Sequence, residues 1–353
     1  MLHRGRLSRW VRAGILLAIL ALCCYGLVTE WPQVHPTLGR LHWYSIAGSL
    51  AAAMAGAWCM MLAWRALLAD LGSRLPVPVA ARITFLAQLG KYVPGGIWSF
   101  AAYVELGHDY QVPRRRGAAS VIVAFAVAVA VGLLIAVVAL TPASPAIVRK
   151  YAAVIAVAPV IAVCLAPPIL HRILNGALRL FRQEPLEQRL SWRGLGHVLA
   201  WSVLGWLLYG TQLWLLVADV ARDGAGSMLL ALGAYAFAFS LALVLVIFPN
   251  GIGAREVLLV AALAPLLAHG PALAIALVAR VVTTVCDLTW GAVALSLGRK
   301  AAALARGATA DSDPAARPAG GRHRRSGGRR WPFPRPAADE AEPGDPSFPE
   351  VAA

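Results

Sequence analysis

Two stretches of the chain carry the polar and helix-breaking residues that chemistry in an apolar setting requires. In LAQLGKYVPGGIWSF, residues 86–100, Gln88, Lys91 and Tyr92 lead into Pro94, Gly95 and Gly96. In IFPNGIGAREVLLVAAL, Pro249, Gly251 and Gly253 lead into Arg255 and Glu256. Proline removes a backbone donor and glycine weakens a helix, so each break frees peptide groups that need partners. A helix that restarts at Ile97, or after Gly253, turns its positive end toward the break, beside a cation in both cases. That combination is the physics of an anion site.

The surroundings are those of a membrane protein. The chain has 353 residues, 59% hydrophobic and 14% charged, against about 25% charged in a typical soluble domain. Apolar runs long enough to cross a bilayer, about 20 residues, fall at 11–30, 44–69, 117–140, 146–170, 195–220, 227–248 and 272–298. The broken stretches 79–107 and 249–268 are not ordinary spans. The expected fold is therefore all-α and polytopic, with about eight crossings and one or two re-entrant segments.

The net charge of +15 sits at the first residues, in the loops and in the tail, as a topology signal does. No nucleic-acid reading module accompanies it, so nucleic acid is not an expected partner. Arg74 and Arg82, the triplet Arg114, Arg115 and Arg116, and the 171–193 loop share one side only if 79–107 dips in and returns. Residues 249–268 are then expected to cross, with both termini cytoplasmic. The start, MLHRGRLSRWVR before an apolar run, has signal-peptide charge order but no A-x-A site, and reads as an uncleaved first span after a basic segment of residues 1–10. From residue 300 to 353 the composition turns to Arg, Pro, Gly and acid, which predicts a disordered cytoplasmic tail beyond the 11–299 membrane domain, solvated or docking a protein partner.

Other residue types point away from catalysis. No Ser-His-Asp order, phosphate-binding glycine loop or HExxH occurs, so no residue is assigned a catalytic role. Cys23, Cys24, Cys59, Cys164 and Cys286 lie in apolar runs without ligand spacing, and neither metal nor cofactor is implied. Glu105, His108 and Asp109 read as a solvated loop edge. Asp219 and Asp223, beside Arg222, read as a helix end. A charge at mid-bilayer costs about 2.5–3.5 kcal/mol, so Lys91, Arg255, Glu256, Arg280 and Asp287 need partners or a task. Arg280 and Asp287 lie on one helix face and could form a charge network with Arg255 or Glu256. Gln88 could donate to a phosphate oxygen or cap a freed carbonyl.

The motifs Q-x-G-K-Y-V-P-G-G-I-W (Gln88 to Trp98) and P-N-G-I-G-A-R-E (Pro249 to Glu256) resemble the two hallmark stretches of the lysylphosphatidylglycerol synthase membrane domain, a flippase-like family. The resemblance covers roughly residues 10 to 300. Asn250 departs from the glycine expected after the second proline. The resemblance implies a stand-alone membrane part without the soluble aminoacyltransferase, in a bacterial plasma membrane, that moves or modifies anionic lipids.

The leading expectation is a translocase that holds an anionic phospholipid or polyprenyl-phosphate headgroup at Gln88, Lys91, Tyr92, Pro94, Gly95, Gly96, Pro249, Gly251, Gly253, Arg255 and Glu256. Two alternatives are an intramembrane enzyme acting on a lipid-linked sugar or phospholipid, and an accessory protein of envelope lipid synthesis.

Overall fold

A computed structural model of the protein describes residues 31–32, 34–92, 98–143, 149, 152, 163, 166–180, 190–221, 224–244 and 253–311. The expected first span, most of 146–170, both proline breaks and the tail beyond 311 lie outside the described residues. The helices are α1 (Trp43–Asp70), α2 (Val77–Leu89), α3 (Trp98–His108), α4 (Arg114–Ala143), α5 (Pro167–Leu180), α6 (Trp192–Ala218), α7 (Gly224–Val244), α8 (Ala254–Leu263) and α9 (His269–Asp311). No strand occurs among the described residues, and the fold is an all-α membrane protein. Four helices are long and apolar enough to cross a bilayer: α1, α4 to Pro142, α6, and α9 to Ser296.

The chain divides into two units, Met1–Leu304 and Ala305–Ala353. In the second, the described part is the end of α9. Helix α9 continues through AAALAR to Asp311, where alanine favours helix.

Long helices α1 and α6 pack extensively and run antiparallel, as their ends show. At one end Asp70 accepts from the Ser191 amide (2.6 Å) and hydroxyl (2.7 Å), and Ser191 caps α6 by accepting from Gly194 N–H. At the other end Asp219, which closes α6, accepts from the His42 amide at 2.9 Å and meets the His42 ring at 3.1 Å.

Helices α2 and α3 form a hairpin on the Asp70 end. Arg65 in α1 donates to the Leu75 carbonyl just before α2, and Arg82 in α2 donates to Tyr110 just after α3. Arg116 of α4 donates to the Gly72 carbonyl and Ser73 hydroxyl, while Arg114 makes a two-bond pair with Glu105 at 3.1 and 2.8 Å. The chain therefore enters α2 and leaves α3 at one end of the bundle. With 13 and 11 residues, the limbs are about 20 and 16 Å long, short of the roughly 30 Å hydrocarbon core. Their tips touch so closely that a Cβ on Gly90 would lie 2.7 Å from Ser99 N and 2.8 Å from its Cα.

Helices α7 and α8 form a second hairpin at the Asp219 end. Val220 and Ala221, ahead of α7, share a cavity wall with Pro265, Leu266, Leu267 and Ala268, which follow α8, and with Arg40. Helix α8 has 10 residues, about 15 Å, so it covers only part of the depth.

Two apolar clusters hold these parts together. One joins α1, α4, α6, α7, α8 and α9 around Trp206, Tyr235 and Phe237. The other seats the first hairpin between α1 and α9 through Trp64, Phe85, Tyr103 and Cys286. There Trp58 of α1, Phe85 of α2 and Trp290 of α9 stack, with centroids 4.6 to 6.2 Å apart.

Two outcomes follow. Gly90→Val should destabilise the protein by about 1–3 kcal/mol, since backbone rather than a yielding side chain blocks the new group; thermal unfolding in detergent measures this. Burial alone would push the Asp219 carboxyl up, but the His42 amide, Ser45 hydroxyl and His42 ring outweigh it and hold the group below the ordinary aspartate range. Its stabilising contribution is thus present above the unfolded value, about 3.9, and lost as pH falls through the lower folded value. Acid titrations of tryptophan fluorescence should show Asp219→Asn losing less stability below about pH 5 than the parent.

Candidate functional site

The first break places Lys91 and Tyr92 at the end of α2, in a single 3-10 turn, Gly90–Tyr92. Lys91 Nζ lies 2.5 Å from Asp287 Oδ2 of α9, and the Tyr92 hydroxyl donates to the same oxygen at 2.7 Å. Asp287 is 8% exposed and the Lys91 side chain 31%. The tip of the first hairpin is thus tied to α9 by one buried carboxylate with two donors. Gln88, with Thr84, sits beside the Tyr103 hydroxyl of the other limb. Tyr92 and Trp98 stay exposed. Pro94, Gly95 and Gly96 lie outside the described residues.

In the second break Pro249 and Gly251 likewise lie outside the described residues, and Gly253 opens α8 at φ +85°, a left-handed conformation that glycine accepts without strain. Its N–H donates to Glu256 Oε2 at 2.9 Å, so Glu256 covers one of the amides left unpaired at the helix start. The other oxygen of Glu256 meets Arg280 Nη1 of α9 at 3.6 Å. Glu256 is therefore committed to the protein's own groups.

Arg255 differs. It is 8% exposed, and its guanidinium lies over the rings of Tyr235 (4.9 Å) and Phe239 (5.1 Å) on α7. No carboxylate reaches it within ion-pair distance among the described residues. Cation–π contact softens the cost of burying this charge, by roughly 2 kcal/mol when desolvated, without neutralising it.

Of the pairings weighed from the sequence, Arg280 meets Glu256, while Asp287 pairs with Lys91 and Arg255 lies over aromatic faces. Tyr235, whose ring lies under Arg255, also meets Tyr209 of α6. These tyrosines stack at 5.6 Å between α6 and α7. Near them, Gln212 on α6 is fully buried with both amide atoms unpaired among the described residues, as are the Tyr235 hydroxyl and Ser240 Oγ. Sequence reading passed over Tyr209, Gln212, Tyr235 and Phe239. Gln212 carried a visible signal, being an amide inside the apolar run GTQLWLLV.

The arrangement offers a buried cation beside a helix N-terminus, a second cation held by a buried carboxylate, and unsatisfied hydrogen-bonding groups on α6 and α7. Substituting Gly253 by Ala should cost about 1 kcal/mol or more in thermal stability, because a side chain resists the positive φ even where space is open. Ala254→Ser, at the neighbouring ordinary helical position, should leave the melting temperature nearly unchanged.

A search of curated proteins gives no match to this chain. The family model described as lysylphosphatidylglycerol synthase TM region matches residues 10–291. That match spans both hairpins and all four long helices as far as the middle of α9. The chain belongs to the lysylphosphatidylglycerol synthase TM region family, membrane-integral proteins linked to lipid metabolism or translocation.

Proposed function

We propose that the protein translocates an anionic lipid, a phospholipid or a polyprenyl phosphate, whose headgroup is held between the two hairpins while its tails stay in the bilayer. The observation that carries this reading is Arg255, a guanidinium 8% exposed with aromatic faces below it and no carboxylate partner among the described residues. A buried cation of this kind stands ready for an external anion, and a guanidinium fits phosphate oxygens with two parallel hydrogen bonds. The start of α8 adds backbone amides and the positive end of its dipole. Lys91 is the second ligand, released when the headgroup replaces Asp287 as its counter-charge.

The first hairpin is the re-entrant element of this reading. Its entry and exit lie together at the Asp70 end, where Arg65, Arg82, Arg114 and Arg116 gather. Positive charge favours the cytoplasmic face, so the Asp70 end is cytoplasmic and the Asp219 end external, in a bacterial plasma membrane with both termini inside.

Leaflet exchange of fluorescent phosphatidylglycerol in reconstituted vesicles tests the function. Arg255→Ala and Lys91→Ala should each slow exchange roughly tenfold to a hundredfold, the loss of one charge-assisted hydrogen-bonding group, with unchanged insertion into the vesicles. Arg255→Lys should recover part of the rate. Full exchange in both alanine variants would overturn the assignment.

A further inference from the structure

The order long helix, two-helix hairpin, long helix occurs twice: α1, α2–α3, α4 and then α6, α7–α8, α9. The two sets run in opposite senses. Helix α1 ends and α4 begins at the Asp70 end, where Arg116 of α4 reaches Gly72 and Ser73 behind α1. Helix α6 ends and α9 begins at the Asp219 end, where Val220 and Ala221 share a wall with Leu267, Ala268 and Pro271. The hairpins therefore open on opposite ends of the bundle.

Three further observations fit a repeat. Each break carries Pro-x-Gly-Ile, as Pro94-Gly95-Gly96-Ile97 and Pro249-Asn250-Gly251-Ile252. The helix that closes each set starts at the same interval after its proline, at Arg114 after Pro94 and at His269 after Pro249. The packing is also exchanged symmetrically. The first hairpin lies against α9, with Leu89 beside Gly291 and Phe85 on Trp290, and the second lies against α4, with Gly233 beside Leu140 and Ser240 beside Gly132. The antiparallel pair α1 and α6, the first helix of each set, forms the seam between them.

We propose that residues 43–143 and 192–296 are inverted copies of one structural unit, and that Lys91 and Arg255 serve one central headgroup site from opposite faces of the membrane. Inverted repeats of this kind give a carrier two equivalent end states, each obtained by exchanging the conformations of the two copies. That role for the two cations rests on the translocation proposed above; the repeat stands without it. The copies are not identical at the site: Asp287 ties the first hairpin to α9, whereas at the matching depth of α4 Gly132 meets the second hairpin without any charge. The structure is thus one of the two end states, latched on the Lys91 side.

Single cysteines placed in a full-length, cysteine-free background test both parts. Asp109→Cys, after α3, and Ala268→Cys, after α8, are exposed. In right-side-out and inverted vesicles, a membrane-impermeant maleimide should label them from opposite faces. Labelling from the same face overturns the repeat. Lys91→Cys and Arg255→Cys should then react with a small impermeant thiosulfonate, Lys91→Cys from the Asp109 face and Arg255→Cys from the Ala268 face. Phosphatidylglycerol should slow each reaction at least severalfold. Reaction of both from one face, or of neither, overturns the shared site while leaving the repeat intact. Exchange rates of Asp109→Cys and Ala268→Cys report translocation separately: opposite labelling with no exchange keeps the repeat and sinks the shared headgroup site along with the translocation reading.

Discussion

A peptide group without a hydrogen-bond partner costs several kcal/mol in hydrocarbon, and the architecture answers to that constraint. A helix break inside an apolar chain must therefore be enclosed by protein. The first hairpin is enclosed by α1 and α9, with Trp58, Phe85 and Trp290 stacked as its wall. The second is enclosed by α4, α6 and α9, with Trp206, Tyr235 and Phe237 at the centre. Where a freed amide is visible, at Gly253, the nearest acid has folded back to cover it.

The same constraint applies to charge. Buried ions in low dielectric need partners, and most have one: Lys91 with Asp287, Glu256 with Arg280. Arg255 is handled by aromatic faces instead, a weaker solution than a carboxylate partner.

Much of this was legible in the sequence because the signals were local. The 44–69 run became Trp43–Asp70, and 117–140 became the body of Arg114–Ala143. Their lengths follow from bilayer thickness, which hydropathy reports directly. Lys91, Arg255, Arg280 and Asp287 stood out as charges in apolar runs, and Glu256 was among the partners open to Arg280, but the Lys91–Asp287 pair was not foreseen. Spacing along one helix says which residues share a face, not which neighbouring helix meets that face, so Arg280 and Asp287 took different partners. Tyr235 and Phe239 were silent because aromatics in a span look like ordinary core until a cation lies over them. The inverted order was hidden as well: the copies share only Pro-x-Gly-Ile, and their likeness lies in direction and packing.

The Lys91–Asp287 pair bears on how tightly such a site can grip. An anion that reaches Lys91 must first replace a carboxylate already seated at 2.5 Å, together with the Tyr92 hydroxyl bound to the same oxygen. Part of its binding energy is spent on that exchange, which lowers affinity and lets Asp287 eject the anion as it returns. A receptor would suffer from such a competitor; a conduit gains by it, since throughput depends on release as much as on capture.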